Sequence, residues 1–412
     1  MTDTAKEYEE LNRFLNVLKV LLLNNRVPYP LKDGGAKAAY SLIRGLAPPN
    51  VQLDCFFLNT KKHFLSQADI DQRFDFVHKV KALNINTDLS VMGALKSLLM
   101  GKSYNISRFD QTHMHKQLKE LLSREKYDVV HFENLFMAPY LSTVRANSTA
   151  KCVLRMHNVE YQIWEKLAQE TESPLKRRYI KKLSKQLKSY EERFLPKFDA
   201  LVPISQEDLE WAKKYTNQPL LNLPMGMDFE PFKIRKQGKH FFHIGSMEWL
   251  PNQHGCAYLV NEIWPEVIKQ DPDCHLHLAG KGMDAVYKHW ETERIHIHGE
   301  VESARDFMLS HNVMLIPLKS ASGLRIKALE AMGLGIPIIS STIGMSGLLK
   351  TSNDHFLSAD LTAEWVESIL KISKSPTLHE QLSKAGYTFV NQHFEAKAVS
   401  EQLINFYENL IK

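Results

Sequence analysis

The sequence has few cysteines, no long apolar run and no low-complexity tract. Its four cysteines, Cys55, Cys152, Cys256 and Cys274, form no C-x-x-C pair, so neither a disulfide framework nor a zinc knuckle is indicated. No stretch approaches about 18 consecutive apolar residues, so no membrane-spanning helix is predicted. The start, "MTDTAKEYEELNRFLN", is polar and acidic, which argues against a secretory signal. Together these absences predict a cytoplasmic protein.

Length and charge indicate the number of domains and the class of ligand. At 412 residues the chain exceeds the size of an ordinary single core, which predicts two domains. The composition, 44% hydrophobic and 24% charged, is that of a globular protein. The net charge of +5 is mild. It suits an anionic small ligand or an acidic membrane surface, but it is too weak to indicate nucleic acid.

Apolar runs of strand length alternate with helix-length segments. The first is "NVLKVLLLNN", and "YDVVHFE", "KCVLRMHN" and "FDALVPIS" follow it. The pattern restarts with "KHFFHIGS", "CHLHLAG", "RIHIHGE", "NVMLIPL" and "IPIISS". This alternation predicts an α/β protein with two doubly wound parallel sheets.

The domain boundaries follow from a stretch rich in proline, glycine and charge, "LNLPMGMDFEPFKIRKQG", which predicts a linker near residues 229–238. We predict a first domain over residues 1–232, a second over 233–392, and a C-terminal helix over 393–412 that returns to the first domain. Ligands of open α/β sheets bind beyond the carboxyl ends of the strands. Two such sheets facing each other would therefore bind ligands in a cleft between those ends.

Two glycine turns precede predicted helices and suit phosphate. Gly34 and Gly35 follow the first strand, where helix N–H groups could contact a phosphate. In "SASGLRIKALEAMGLGIPIISS" a second turn leads into a helix that begins with Arg325 and Lys327, whose charges could neutralise a diphosphate. Glu330 is the single carboxylate of this otherwise apolar helix, and it could accept hydrogen bonds from a ribose. A plain turn and a solvated cation pair are the alternatives.

These segments resemble glycosyltransferase family 4, the retaining, nucleotide-sugar-dependent enzymes of the two-domain GT-B fold. The resemblance rests on an ordered set that spans nearly the whole chain: "LLLNNRVPYPLKDGG", "LRMHNVEYQIWEKLA", "FDALVPIS", "PMGMDFEPF", "FHIGSMEWLPN" and "LKSASGLRIKALEAMGLGIPIISS". Glu330 matches the second glutamate of the family's E-x7-E motif, whereas the first falls on Ser322. Ser246 stands where the family has an arginine, and no lysine follows in that loop.

The resemblance implies roles for particular residues. His157 matches the histidine at the donor sugar, and Arg325 and Lys327 would take over the diphosphate charge. Glu133, at the end of "VVHFE", is a candidate on the acceptor side. The residues expected to bind the nucleotide sugar are Gly34, Gly35, Gly245, Ser246, Lys281, Glu300, Val301, Ser322, Gly323, Leu324 and Glu330. The family needs no cofactor and no essential metal.

Two other patterns favour different functions. "LAGKGMDA" places Gly280, Gly282 and Ala285 in G-x-G-x-x-A spacing, which would indicate an NAD-dependent oxidoreductase, although this spacing follows the second strand of its domain rather than the first. "CHLHLAG" and "RIHIHGE" each place two histidines on one strand face, at a spacing that could hold zinc. We favour a nucleotide-pocket turn for the first pattern and a structural role for the second, and predict no metal site.

A basic amphipathic helix is predicted in "SPLKRRYIKKLSKQLKSYEERF". Its apolar stripe would be Leu175, Tyr179, Leu183, Leu187, Tyr190 and Phe194. The basic face could simply be solvated, or it could dock on anionic lipid. Its residues are Lys176, Arg177, Arg178, Lys181, Lys182, Lys185 and Lys188.

The sequence thus predicts a retaining glycosyltransferase that moves a sugar from a nucleoside diphosphate to a hydroxyl acceptor. The acceptor would be a glycan, a lipid-linked sugar or a protein, in the biosynthesis of a capsule, lipopolysaccharide or glycoprotein. The protein would be cytoplasmic, either free or at the inner face of the membrane. The alternatives are an oxidoreductase and a non-catalytic nucleotide-sugar-binding protein of GT-B shape.

Overall fold

A computed structural model describes residues 17–31, 34–47, 50–88, 97, 103–283, 286–319, 324–348 and 354–412. The chain divides into two compact units. Unit 1 comprises residues 1–227 and 396–412, and unit 2 comprises residues 228–395. No helix among these described residues combines the length and hydrophobicity that a bilayer crossing requires.

Unit 1 contains a six-stranded sheet in the order β3-β2-β1-β4-β5-β6, with every pairing parallel. Its strands are β1 (Leu18–Asn24), β2 (Val51–Thr60), β3 (Lys79–Ile85), β4 (Val129–Phe132), β5 (Lys151–Met156) and β6 (Ala200–Pro203). Its helices are α1 (Gly34–Gly45), α2 (Gln67–Arg73), α3 (Tyr104–Ser107), α4 (Thr112–Arg124), α5 (Leu141–Asn147), α6 (Glu160–Glu170), α7 (Pro174–Phe194), α8 (Gln206–Ala212) and the C-terminal α16 (Ala396–Ile411).

Both faces of the unit 1 sheet are buried because successive side chains of β1 enter different cores. Leu21 and Leu23 pack with residues of α4 and α5, whereas Val20 and Leu22 pack with residues of α1 and α16. A strand that is covered on both sides reads as a continuous apolar run, and β1 was predicted on that basis. The C-terminal helix α16 thus completes the core of unit 1 rather than that of unit 2.

Unit 2 contains a second six-stranded parallel sheet in the order β12-β11-β10-β7-β8-β9. Its strands are β7 (His240–Ile244), β8 (His275–Ala279), β9 (Ile295–Gly299), β10 (Val313–Ile316), β11 (Ile338–Ser340) and β12 (Leu357–Ser358). Its helices are α9 (Leu250–Tyr258), α10 (Trp264–Gln270), α11 (Ala304–Leu309), α12 (Ile326–Gly333), α13 (Thr342–Met345), α14 (Thr362–Lys374) and α15 (Pro376–Phe394), with a π-helical turn (Leu259–Ile263) between α9 and α10.

The two sheets share one topology, since in each the order reverses between the first and fourth strands of the unit. These reversals lie between β1 and β4 and between β7 and β10. The crevice at the carboxyl end of such a reversal is the usual ligand site of a doubly wound sheet. The prediction of two doubly wound parallel sheets is confirmed. Strands β2, β3 and β12 were not singled out from the sequence.

Candidate active site

A polar cavity of about 680 Å³ lies at the carboxyl edge of the unit 1 sheet. Residues at or just beyond the ends of four strands line it, among them Asn24, Thr60, Glu133 and His157, and Gly35 contributes from the start of α1. Gly34 begins the same helix one residue earlier. Three of the predicted site residues, Gly35, Glu133 and His157, are therefore brought together at the reversal of strand order.

A buried hydrogen-bonded chain leads from α16 to this cavity. The Tyr407 hydroxyl contacts His131 Nδ1 at 2.5 Å, and His131 Nε2 contacts Glu133 Oε2 at 2.7 Å. The other oxygen, Glu133 Oε1, contacts His157 Nε2 at 2.8 Å. Since a tyrosine hydroxyl donates to Nδ1, His131 presents an Nε2–H to the carboxylate. The sequence does not indicate a role for Tyr407 or His131, because the hydrogen bond between them joins residues that are 276 positions apart.

Arg155 places a positive charge behind the carboxylate. Its side chain is fully buried on β5, with Nη1 3.8 Å from Glu133 Oε1 and Nη2 3.4 Å from the carbonyl oxygen of Pro224. Among the described residues, Arg155 Nε has no hydrogen-bond partner. A buried guanidinium with so few acceptors depends on its counter-ion. Glu133 therefore compensates a buried charge as well as contacting two imidazoles.

The surroundings keep Glu133 ionised. Burial alone raises the pKa of this carboxyl, but the charge of Arg155 and the hydrogen bonds from His131 and His157 outweigh burial. The net pKa lies well below the usual range of a glutamate. Burial lowers the pKa of His131, which is consistent with a neutral ring that accepts from Tyr407 and donates to Glu133.

His157 lines the cavity together with Glu133 and is the more exposed of the two. Its side chain is 15% exposed, and its Nε2–H donates to Glu133. A neutral ring in this tautomer leaves the lone pair of Nδ1 to accept a hydrogen bond. A carboxylate that fixes both the tautomer and the orientation of a histidine is the arrangement used to present an imidazole to a substrate hydroxyl.

The remaining cavity wall carries charges of both signs. Arg26, Lys62 and Arg108 lie on it together with Asp88 and Glu160. Burial raises the pKa of Glu160 to about 7, so this carboxyl changes its charge near neutral pH. Glu160 follows the quoted "RMHN" motif closely, but its burial was not visible in the sequence. Mixed donors and acceptors of this kind suit a ligand rich in hydroxyl groups.

In unit 2 the loops after β7, β8 and β9 pack closely against one another. The Gly245 N–H donates to Ala279 and the Gly280 N–H donates to Gly299. Gly280 has φ of +141°, and a Cβ there would lie 2.0 Å from the Gly245 carbonyl oxygen. This close approach between loops explains why Gly280 is a glycine in "LAGKGMDA", and the explanation requires no bound dinucleotide. Ala285, the last residue of that spacing, lies outside the described residues.

Lys327 joins α12 to the end of β7. Its Nζ lies 3.3 Å from His243 Nε2, 3.1 Å from the Ile244 carbonyl oxygen and 3.2 Å from Asn252 Oδ1. Because His243 Nδ1 donates to the carbonyl oxygen of Leu315, its Nε2 is free to accept. All three hydrogens of the ammonium are therefore donated to protein acceptors, an arrangement that the prediction of a diphosphate contact did not include.

Burial and charge shift both partners of this contact. Burial, with the nearby charge of Arg325, lowers the pKa of Lys327 to about 8. Burial and the charge of Lys327 lower the pKa of His243 to about 3. A neutral histidine and a lysine that is still mostly charged at neutral pH thus stand together at the carboxyl end of β7, beside Gly245. Neither His243 nor Asn252 was singled out from the sequence.

The start of α12 carries the other predicted residues of this motif. Leu324 precedes the helix and is half-buried, and Arg325 occupies the N-cap position and is buried. Glu330 was expected to be enclosed by an apolar helix, but its side chain is only half-buried, on the same stripe as Ile326 and Lys327. A glutamate on this partly open stripe is accessible to a ligand. Ser322 and Gly323 lie outside the described residues.

Four further predicted residues surround the same strand ends. Ser246 accepts through Oγ from the Glu248 N–H and through its carbonyl from Asn252. Lys281 is exposed and pairs with Glu248 at 2.7 Å. Glu300 and Val301 follow β9, the former exposed and the latter half-buried. The structure places all of these residues at one edge of unit 2.

The basic helix α7 departs from its prediction in the first turns. Leu183 and Leu187 are buried as expected, but Leu175 is 84% exposed and Tyr179 is 40% exposed. Helix α6, which packs on α7, also exposes Ile163 and Leu167. The core therefore covers only part of the predicted apolar stripe. All predicted basic residues of α7 are exposed except Lys188, which is half-buried.

Comparisons with known proteins agree with this geometry. Residues 238–375 match a family model described as Glycosyl transferases group 1. A Klebsiella pneumoniae protein, described as an uncharacterized 44.6 kDa protein in the cps region, is 23% identical over 314 residues, which are 73% of this chain and 78% of that protein.

Two solved structures are similar over most of the chain. Sucrose-phosphate synthase from Thermosynechococcus elongatus has a TM-score of 0.63 and 15% identity, with 95% of this chain and 99% of that chain covered. A mutant of S. aureus TarM, in complex with fondaparinux, alpha-GlcNAc-glycerol and UDP, has a TM-score of 0.60 and 10% identity, with 95% and 99% covered. The GT-B fold that the sequence predicted is confirmed. The narrower assignment to family 4 stays a prediction.

Proposed function

We propose that this chain, a glycosyltransferase by its domain match and its fold, transfers a sugar from a nucleoside diphosphate to a hydroxyl acceptor with retention of configuration. We further propose that the acceptor is a growing surface glycan. The description of the Klebsiella relative, which places it in a cps region, supports this choice.

One observation carries the proposal. The group 1 match spans the segment of unit 2 in which the ends of β7, β8 and β9 and the start of α12 carry those predicted nucleotide-sugar residues that lie in the described part of this unit. Glycosyl transfer needs positive charge at the departing diphosphate and correct placement of the reacting groups. Arg325 and Lys327 supply that positive charge. The Lys327 ammonium does so while it donates hydrogen bonds to Asn252 and to the carbonyl oxygen of Ile244, which lies at the end of β7 beside Gly245.

We assign the nucleotide to unit 2 and the sugar acceptor to the cavity of unit 1. In unit 2, Glu330 on the open stripe of α12 accepts hydrogen bonds from the ribose, and the loops after β7 and β9 surround the base. In unit 1, His157 contacts the reacting sugar through Nδ1, and the hydrogen bond from His157 Nε2 to Glu133 keeps the imidazole ring in place. The proposed reaction assigns no role to a metal ion or to a redox cofactor.

Addition of a nucleoside diphosphate is expected to raise the melting temperature, and Glu330→Ala should abolish that rise. A ligand at about 100 times its Kd stabilises the folded state by about 2.7 kcal/mol, and this is lost when the ribose contact is removed. Differential scanning fluorimetry with uridine and guanosine diphosphates measures the effect. Glu293→Ala, an exposed glutamate of unit 2, is the matched control and should keep the full shift.

The outcomes separate the candidate functions. A shift with NAD that depends on Gly280 would favour an oxidoreductase and contradict the proposal. A diphosphate shift without sugar transfer from any nucleotide sugar would indicate a binding protein that lacks catalysis. A shift that persists in Glu330→Ala contradicts the ribose assignment.

We also propose that the free end of the hairpin formed by α6 and α7 docks on anionic lipid. Four exposed apolar side chains, Ile163, Leu167, Leu175 and Tyr179, lie in the half of the hairpin nearest its connection. Exposed lysines and arginines of α7 flank them. Apolar groups surrounded by basic ones fit the boundary between lipid tails and acidic headgroups.

Binding to vesicles that contain phosphatidylglycerol should weaken about 100-fold when Lys176, Lys181 and Lys182 are all changed to alanine. Each basic residue near an anionic surface contributes about 1 kcal/mol, and three such losses give this factor. Vesicle co-flotation measures the change. A control with alanine at three exposed lysines of other helices, Lys371, Lys384 and Lys397, should bind as the wild type does. Equal binding to neutral phosphatidylcholine vesicles would contradict the proposal.

A further inference from the structure

Unit 2 carries a cluster of six histidines that the proposed transfer does not use. They come from β7, β8, β9 and the segment between α11 and β10, and they are His240, His275, His277, His296, His298 and His311. Only the pairs on β8 and β9 stand out in the sequence, from which no metal site was predicted. Parallel register brings them together, because His240 pairs with His275 and His277 pairs with His296 across neighbouring strands.

Three of these histidines converge. One ring nitrogen from each of His277, His298 and His311 lies within 4.8 Å of the other two. The closest contact joins His277 Nδ1 and His298 Nε2 at 2.9 Å. Nitrogen ligands of a tetrahedral zinc ion stand about 2.0–2.1 Å from the metal and therefore about 3.3 Å apart. Side-chain movements on the order of 1 Å would reach that geometry.

The groups behind the cluster favour the tautomers that a metal requires in two of the three histidines. His311 Nδ1 lies 2.6 Å from the Phe307 carbonyl oxygen, so it donates there and leaves the lone pair on Nε2. His277 Nε2 lies 2.9 Å from His240 Nδ1, to which it can donate while His277 Nδ1 serves as the ligand. Metal-binding histidines almost always have such a partner on the other ring nitrogen, and it orients the ring.

The cluster can also be reached from solvent. His298 lies on the edge strand and is exposed, which gives an ion a route to the two buried ligands.

We propose that His277, His298 and His311 bind one zinc ion, or a similar divalent first-row metal. Three imidazoles suit zinc, cobalt, nickel and copper better than magnesium or calcium, which prefer oxygen ligands. Water or another small ligand completes the tetrahedral shell. Binding requires His298 to carry its proton on Nδ1 rather than on Nε2, so that the Nε2 lone pair is available to the metal and no net proton is lost. The site joins β8, the edge strand β9 and the segment after α11, and it does not depend on the proposed transfer.

The test measures metal binding by the full chain. After treatment with a chelator, isothermal titration with zinc chloride should show one ion per chain, and cobalt chloride should give the visible absorption of a tetrahedral complex. His298→Ala should weaken zinc binding about tenfold or more, since even outer-shell changes cost about 10–100-fold. Because His298 is exposed, this variant should fold normally, which circular dichroism checks.

The matched control is His254→Ala, an exposed histidine on α9 that lies outside the cluster. It should bind zinc as the wild type does. The proposal is overturned if the wild type binds no zinc, if His298→Ala binds it unchanged, or if His254→Ala loses as much affinity. His311→Ala provides a second test, because this variant should not show the visible absorption of a tetrahedral cobalt complex.

Discussion

Glu133→Gln is expected to lower the free energy of unfolding by about 3–5 kcal/mol. The substitution keeps the size of the side chain but removes its charge, which leaves Arg155 buried without a counter-ion. Only one carbonyl oxygen then remains to accept from His131 and His157. Urea unfolding, compared through the midpoint and slope of the transition, measures the loss.

A surface ion pair provides the control for this prediction. Glu125→Gln removes the partner of Lys79, and both side chains of that pair are substantially exposed. We expect a cost below about 1 kcal/mol there. The double variant Glu133→Gln/Arg155→Met should lose less than the sum of the two single variants, because it also removes the stranded charge. If Glu133→Gln lowers the free energy of unfolding no more than Glu125→Gln does, the buried Glu133–Arg155 pair does not stabilise unit 1 as proposed.

His157→Ala should lower kcat for sugar transfer about 100-fold or more while it leaves the fold intact. This ring reaches the cavity, and its remaining nitrogen is the group proposed to contact the reacting sugar. Its loss leaves Glu133 still in contact with His131 and Arg155, so the stability cost should be much smaller than that of Glu133→Gln. Transfer from a panel of nucleotide sugars, followed under saturating donor, measures the rate.

The comparison variant is His113→Ala, which removes an exposed histidine of α4. Its transfer rate and unfolding midpoint should match those of the wild type. If His157→Ala raises KM and leaves kcat unchanged, the histidine binds the sugar equally in the ground state and the transition state, and its catalytic assignment is wrong. Together with Glu133→Gln, this variant separates the catalytic from the structural part of the buried chain.

The local pattern of the chain was enough to predict nine of the twelve described strands. Apolar runs bounded by turn residues identified β1 and β4–β11, because a strand buried on both faces needs apolar side chains at successive positions. The glycine turn before α1 and the cations at the start of α12 were visible for the same reason, since each is encoded by neighbouring residues. Strand β3 lacks this pattern, because most of its side chains are half-buried or exposed.

The candidate site was only partly predictable. Glu133 and His157 could be identified because they follow strands directly. In the sequence, Arg155 is a single charged residue within an apolar strand. Its role depends on the Glu133 carboxylate, which follows β4 and lies beside it. Periodicity predicted the apolar stripe of helix α7, but it does not show which part of that stripe the rest of unit 1 covers.

The sequence by itself determined the two parallel sheets, the ends of the strands where ligands would bind, and the charged helix start that suits a diphosphate. Tertiary structure decided that Tyr407 reaches His131, that Lys327 holds the end of β7, and that histidines from separate strands converge. These contacts join segments far apart in the chain, and they depend on strand order and register. Local periodicity carries no information about either.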